Sequence, residues 1–405
     1  MKKFVLLIFL YAINLQGLFA EWNQVCSFDG EFIYDMFKKD KFIFAATSNG
    51  IYRSSGYALI WLDKSGGITK PDIRKLILFD NNIYACSYGG GVYVSTDNGE
   101  VWIEKNNGLT NKKVFSIASL NNYIFAYTMD GMFVSSDKGE NWIFKNNGLP
   151  EGNMYDVSLL CMTVKGNTIF IGASWGKGIY SSTDFGNNWI PKSKGLADSN
   201  LSIYSFCVHN NLIYAGTYNG IIVSSDNGEN WKQKNQGITG HFITSFATID
   251  HYIFTTAYKD GIYQSSDSGD NWTRKSYFLT DTALSSLIFT DTKLFAGSYA
   301  GTIFVSKLSD LGIVSSVEDK NTENGWNIYP NPAGDYIEIS VSNKVLKPFA
   351  ETDKVQIFDI LGMEVITTPC PLLVKEGKMQ IDISHLQSGV YYINIGDRVE
   401  KFMKM

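Results

Sequence analysis

The strongest constraint on this chain is an eight-residue string, Ser-x-Asp-x-Gly-x-x-Trp, that returns five times. It runs from Ser95 to Trp102, Ser135 to Trp142, Ser182 to Trp189, Ser224 to Trp231 and Ser265 to Trp272. An eroded sixth copy, Ser54 to Trp61, keeps the serine and tryptophan but has Gly56 where the aspartate belongs. Successive tryptophans lie 41, 40, 47, 42 and 41 residues apart. A period near 40 marks a chain of supersecondary units that cannot bury their apolar faces alone and must stack on one another.

Each period holds four short apolar runs. In one copy they are Val114 to Ala118, Tyr123 to Tyr127, Met132 to Ser135 and Trp142 to Phe144, separated by turn residues such as Asn121-Asn122 and Asp130-Gly131. Four short antiparallel strands per repeat is the pattern of a propeller blade. The string falls in the hairpin between the third and fourth strands. There an aspartate accepts backbone N–H bonds, a glycine supplies a positive φ, and a tryptophan opens the last strand with a large buried ring. Asp97, Asp137, Asp184, Asp226 and Asp267, with Trp102, Trp142, Trp189, Trp231 and Trp272, are therefore expected to fold hairpins rather than to touch a ligand.

After Trp272 a seventh unit shows three strands only, Leu284 to Phe289, Lys293 to Ala296 and Thr302 to Val305, and no string. At the other end, Glu21-Trp22-Asn23-Gln24-Val25 resembles the fourth-strand sequence Asn230-Trp231-Lys232-Gln233-Lys234. The mature N-terminus is expected to supply the missing outer strand. Residues 21–308 divide into seven units of about 41 residues, which matches the period. The expected architecture is all-β: a seven-bladed propeller whose interlocked ends remove exposed sheet edges.

The rest of the chain bounds what this ring can do. A hydrophobic share of 44% with 19% charged residues and 8 prolines suits a folded protein. The 35 basic and 40 acidic residues give a net charge of −5, with no basic field for nucleic acid. Lys2 and Lys3 precede the apolar run Phe4 to Ile13, and Ala20 sits before a cleavage point, so residues 1–20 read as a signal peptide, although Leu18 is not small. That run is too short to span a bilayer, which leaves no membrane span after the signal is removed. Cys26, Cys86, Cys161, Cys207 and Cys370 show no ligand spacing, and an odd number cannot complete a disulfide framework. The four histidines are equally scattered. No metal or cofactor is expected.

Composition shifts after Ser306, and residues 309–325 read as a polar linker. Residues 326–405 then show short alternating strands around Tyr329-Pro330-Asn331-Pro332, Ile357-Phe358-Asp359-Ile360-Leu361-Gly362 and Ile381 to Tyr392. This reads as a small β-sandwich.

The repeats resemble the Asp-box (BNR) repeats of sialidase-like propellers. That superfamily includes xyloglucan-cleaving hydrolases, sortilin-type receptors and photosystem assembly factors. The resemblance covers nearly all of residues 21–308; it specifies architecture and says almost nothing of activity. The second domain resembles the type A C-terminal sorting domain of the type IX secretion system, through Tyr329, Pro330, Asn331 and Pro332, the central IFDILG, Gly389 in SGVYY, and lysines at 401 and 404. The segment Thr367 to Gly377 is longer than in compact members. The resemblance implies that the type IX export machinery is a partner, with passage through the periplasm to release or display at the outer cell surface.

Sialidases need three arginines to clamp a carboxylate. This chain has four, and only Arg74 falls at the start of an inner strand; Arg53 lies on a third strand, Arg274 on an outermost one, and Arg398 in the second domain. A polysaccharide hydrolase would need two opposed carboxylates near the axis. Asp72, Asp130, Asp156, Asp198, Asp260 and Asp281 fall on that face, but no spacing singles out a pair. The preferred reading is a non-catalytic binding propeller, with a secreted glycoside hydrolase acting on polysaccharide as the alternative. At equivalent places in the loops between second and third strands stand Ser48, Tyr88, Met129, Trp175, Tyr218, Tyr258 and Tyr299. Tyr88, Trp175, Tyr218, Tyr258 and Tyr299 thus form an expected aromatic ring on the face opposite the Asp boxes, able to meet a glycan or an envelope protein. The same rings also have a plain reading as packing between neighbouring blades.

Overall fold

The computed structural model describes residues 22–55, 60–150, 161–173, 176–197, 202–240, 242–277, 279–313, 326–341, 354–359, 364–369, 378–395 and 398–405. Residues 1–20, with the expected signal peptide, lie outside them, as do Trp175, Asp156, Asp198 and Cys370. The chain divides into two compact units, a propeller and a C-terminal domain.

The propeller is seven four-stranded antiparallel sheets, here blades 1 to 7 in chain order of their inner strands. Blade 3 is typical, with strands Val114–Leu120, Tyr123–Thr128, Gly131–Ser135 and Ile143–Phe144. Second strands read as near-continuous apolar runs such as Tyr123–Thr128 and Leu212–Thr217, buried from their second residue onward. They do not alternate because blades cover both faces, which removes the need for a polar side. In blades 2 to 6 the fourth strands are two paired residues with both side chains exposed.

Inner strands of successive blades pack side by side around the axis, and that of blade 7 (Leu284–Phe289) packs on that of blade 1 (Ile33–Lys39). The joint is steric. A Cβ added at Gly216 would lie 2.7 Å from a methyl of Ile243, and one at Gly297 would lie 2.9 Å from the matching methyl of Ile33. At these joints the first residue of the inner strand presses into a place that glycine keeps small on the preceding blade, so the joint that closes the ring repeats the one between blades 5 and 6.

The chain ends close the ring as the sequence led one to expect. Asn23–Ser27 pairs antiparallel with the third strand of blade 7, Asn23 opposite Val305 and Ser27 opposite Thr302. Trp22, 7% exposed, precedes that strand, as each string tryptophan precedes its own. The tryptophans stand one residue before the fourth strand rather than opening it. Their indole N–H groups have a role the sequence did not suggest: each donates to a lysine carbonyl of the preceding blade. Trp102 bonds Lys64 at 2.8 Å, Trp142 bonds Lys105 at 2.7 Å, and Trp272 bonds Lys234 at 3.0 Å. Trp189 and Trp231 do the same to Lys145 and Lys192. Trp22 donates to Lys275 at 2.7 Å and so extends the series to the seam between blades 6 and 7.

Each Asp box is a closed hydrogen-bond circuit. In the box of blade 5, Ser224 Oγ donates to Asp226 Oδ1 at 2.8 Å, Gly228 N donates to Ser224 Oγ at 2.8 Å, and Asn230 N donates to Asp226 Oδ1 at 2.9 Å. The Asn230 amide closes on Asp226 Oδ2 at 2.8 Å. The turn needs positive φ at the residue before the glycine as well, 57° at Asn227 and 58° at Phe185. The circuit holds non-glycine residues in a region they ordinarily avoid.

The body of the propeller extends further than expected. Leu308, Leu311 and Ile313 are buried in the blade 7 cluster with Trp22 and Phe254. The linker expected from residue 309 is therefore packed structure as far as 313. The four described cysteines are free thiols, and burial pushes each up to about 12.

The C-terminal domain is a small β-sandwich. One sheet holds Trp326–Tyr329, Tyr336–Val341 and Lys378–Asp382; the other holds Lys354–Phe358, Glu364–Pro369, Gly389–Ile395 and Arg398–Lys404. Ile337, Ile339 and Ile381 from the first meet Val355, Ile357, Ile393 and Phe402 from the second in one core. The two ends of the domain are tied together: Asn331 Oδ1 accepts from Met403 N at 3.0 Å, and Asp335 pairs with the buried Lys404 at 3.3 Å.

Two outcomes follow. Val101 stands where the other complete boxes carry an asparagine, so Asp97 lacks the amide bond that Asn141, Asn188, Asn230 and Asn271 provide. Val101→Asn should stabilise the propeller by about 0.5–1 kcal/mol in urea unfolding; an unchanged or lower midpoint would contradict this account of the box. The five box carboxylates are held below the ordinary aspartate range, Asp226 down to about 2, led there by the Asn230 amide and the Asn230 and Ser224 bonds. For Asp137 and Asp267 the asparagine bonds also lead; for Asp97 and Asp184 burial acts against the shift and the hydrogen bonds outweigh it. Groups depressed in the folded state contribute stability above their unfolded pKa near 4 and lose it as pH falls through their folded values. Urea midpoints should therefore drop between about pH 4 and pH 2, with a shallower drop in Asp226→Asn.

Candidate binding face

The face that matters is set by a defect repeated in every inner strand whose start is described. Pairing with the second strand slips by one residue between Ile33 and Asp35, Ile73 and Lys75, Val114 and Ser116, Ile203 and Ser205, Ile243 and Ser245, and Leu284 and Ser286. A bulge re-aims the extra side chain and frees backbone N–H groups. The extra residues are Tyr34, Arg74, Phe115, Tyr204, Thr244 and Ser285, and all six line the central channel, about 240 Å³ in volume.

Freed N–H groups are satisfied across blade boundaries one layer deeper. Leu76 N donates to Asp35 Oδ2 at 3.1 Å, Met36 N to Ser286 Oγ at 2.9 Å, and Leu287 N to Ser245 Oγ at 3.1 Å. Lys75 Nζ meets Asp35 Oδ1 at 3.0 Å. Burial opposes the charge on Lys75, but Asp35 outweighs it and raises the pKa of the ammonium.

Above this layer lies the mouth. The loops expected to carry the aromatic ring do flank it: Tyr88 N donates to Asp72 O, Tyr258 N to Phe242 O and Tyr299 N to Ala283 O, each pairing a ring position with the residue just before an inner strand. The rings touch across blades. Tyr218 is 6.0 Å from Phe242, Phe242 is 5.5 Å from Tyr258, and Tyr258 is 5.8 Å from Tyr299. Tyr204 joins this arc, 4.4 Å from Phe242. On the other side, the Arg74 guanidinium lies 4.1 Å from the Tyr34 ring and 5.1 Å from Tyr88, and Tyr88 is 5.4 Å from Phe115. Tyr218 is 62% exposed, while Tyr88, Tyr258 and Tyr299 are half-buried.

Of the five expected ring residues, then, Tyr88, Tyr218, Tyr258 and Tyr299 stand at the mouth and Trp175 is outside the described residues. Sequence reasoning missed Tyr34, Phe115, Tyr204 and Phe242. The signal for the first three was available, an aromatic at the second position of an inner strand, but its direction depends on the bulge. Each described ring also packs on a neighbour, so the packing reading and the binding reading meet in the same residues.

Arg74 does line the channel mouth; Arg53 and Arg274 lie on third and fourth strands. Arg74 pairs with Asp72 at 2.8 Å. Burial raises the Asp72 pKa, with Arg74 opposing it. Asp72 Oδ1 and Arg74 Nε are buried without a hydrogen-bond partner among the described residues. The other described carboxylate candidates hold turns. Asp130 accepts from Thr110 and Asn111, each at 2.8 Å; Asp260 accepts from Thr239 and Tyr263; Asp281 caps Ala283 N at 2.9 Å. No group of three metal-ligating side chains is found among the described residues.

Comparison with known proteins agrees with this architecture. The model of a DUF6242 β-propeller domain matches residues 33–177, and that of a secretion system C-terminal sorting domain matches residues 327–405. No curated protein matches by sequence. Among solved structures, PorZ, a surface component of the type IX secretion system of Porphyromonas gingivalis, is 15% identical with a TM-score of 0.55 over 94% of this chain and 60% of its own. The extracellular domain of the hybrid two-component system BT4673 of B. thetaiotaomicron is 15% identical, TM-score 0.60, over 95% of this chain and 59% of its own. YCF48 bound to D1 peptide is 16% identical, TM-score 0.57, over 71% of this chain and 96% of its own. This chain thus spans about 60% of the length of PorZ, and at these identities the likeness is one of fold. The chain is a propeller carried by a type IX sorting domain, which directs it out of the cell to the exterior or the outer surface.

Proposed function

We propose that the propeller is a non-catalytic binding module that grips a protein segment at the channel mouth, with the sorting domain delivering it to the outside of the cell. The observation that carries this is the arc Tyr204, Tyr218, Phe242, Tyr258 and Tyr299, a run of touching aromatic rings across blades 5 to 7 on an exported protein. The rings are tilted against one another, at 37° to 71°. They present edges and corners as well as faces, which suits side chains of a polypeptide better than the flat stacking a sugar ring prefers. Across the mouth, Arg74 and Asp72 keep buried polar atoms unpaired, a feature that recurs at functional sites. The peptide-bound YCF48 propeller is a precedent for a peptide partner on this fold.

The alternative is a secreted glycoside hydrolase acting on polysaccharide. Asp130 and Asp260 are committed to turns, and Asp72 and Asp281, though each keeps one buried oxygen unpaired, are held by Arg74 and by the turn at Ala283, which favours the binding reading.

The test is a pull-down of envelope proteins by the full mature chain, run in parallel on a glycan array. The account expects one or a few envelope proteins to be retained and Tyr218→Ala/Tyr258→Ala to lower that retention at least tenfold at unchanged thermal midpoint. Retention of glycans alone, or unchanged protein capture by the double variant, would overturn it. New reducing ends released from a polysaccharide would establish the hydrolase instead.

A further inference from the structure

Below the aromatic mouth, the hydrogen-bonding capacity of the channel is unevenly used. Both oxygens of Asp35 are engaged, Oδ1 by Lys75 at 3.0 Å and Oδ2 by Leu76 N at 3.1 Å. Ser286 and Ser245 accept backbone N–H bonds through Oγ, which leaves their own hydroxyl protons without an acceptor among the described residues. An ammonium has three N–H donors, and Asp35 takes one from Lys75. The Lys75 side chain is 44% exposed although it stands inside the ring, so its free donors reach the channel space. What remains are unused donors of Lys75, Ser245 and Ser286 that face a central chamber whose volume of about 240 Å³, the mouth included, leaves room for roughly eight waters or one small polar group.

We propose that this chamber is a site for a small oxyanion, a carboxylate, sulfate or phosphate group, held by Lys75 Nζ and the hydroxyls of Ser245 and Ser286. Neutral hydrogen-bond acceptors gain less there, because charge-assisted bonds to an ammonium are roughly twice as strong as neutral ones. The group has two sources, a free anion or the acidic end of a polypeptide docked at the mouth. The site stands on the channel chemistry and holds whether or not the aromatic arc binds a protein.

Calorimetric titration of the full mature chain at constant ionic strength tests it, using sodium sulfate, sodium acetate, and one short peptide with either a free or an amidated C-terminus. Saturable binding of at least one free anion or of the free-ended peptide is expected. Ser245→Ala/Ser286→Ala should weaken it about tenfold or more. Lys75→Met is paired with Asp35→Asn, so that no carboxylate is left unpaired, and should abolish it. Preference for the free-ended over the amidated peptide identifies a chain end as the source; binding of sulfate or acetate without that preference identifies a free anion. Tyr218→Ala/Tyr258→Ala should leave sulfate and acetate binding unchanged, which separates this site from the proposed function. The proposal fails if no probe binds saturably, or if binding survives in Asp35→Asn/Lys75→Met.

Discussion

The bond on which the ring depends is the one from a tryptophan indole to a carbonyl of the blade before it. A blade is a four-stranded sheet with both faces apolar, stable only between two others. Packing alone is non-directional and would tolerate slippage. The indole N–H fixes register because a buried donor left without its acceptor costs about 1–3 kcal/mol. The Asp box serves that bond: its left-handed turn delivers the tryptophan to the seam, and its carboxylate holds the turn. Trp22 reaches Lys275 with no box of its own, because the pairing of Asn23–Ser27 with blade 7 sets its position instead.

A frame fixed at its outer seams leaves the opposite face free to vary. Strand starts around the mouth share one backbone bulge, and those of blades 1, 2 and 7 bond back to the preceding blade, yet the six carry Tyr34, Arg74, Phe115, Tyr204, Thr244 and Ser285. Nothing in the fold demands these side chains, since tyrosine and serine occupy equivalent places. The asymmetry is ordered: an arc of rings runs across blades 5 to 7, whereas on blades 1 to 3 the rings of Tyr34, Tyr88 and Phe115 are interleaved with Arg74 beside the ion pairs of Arg74 and Lys75. This separation of scaffold from surface lets one repeat support unrelated tasks, and it explains why the motif that specifies the architecture says so little about function.

The architecture was legible because it rests on period and local chemistry. Five boxes and a tryptophan before Asn23 were enough to count blades and to find the closing strand. The seam bonds were not legible, since an indole partner about 40 residues away emerges only once blades are stacked. The extension to Ile313 was hidden for a related reason: Ser309 and Asp310 read as linker, while Leu311 and Ile313 find their apolar partners in distant strands. At the mouth, Tyr88, Tyr218, Tyr258 and Tyr299 could be placed from loop position alone. Tyr34, Phe115 and Tyr204 could not, because a bulge reverses the facing that strict alternation assigns.

Closure by Trp22 is the claim on which the rest stands, and amide hydrogen exchange on the mature chain and on Trp22→Ala tests it most directly. If the indole and its strand lock the circle, the variant melts on the order of 5 °C or more lower. It also loses protection in blade 7 and, across the seam, in the inner strand Ile33–Lys39 of blade 1. An unchanged melting point with faster exchange confined to residues 22–27 would show that the ring holds without its latch.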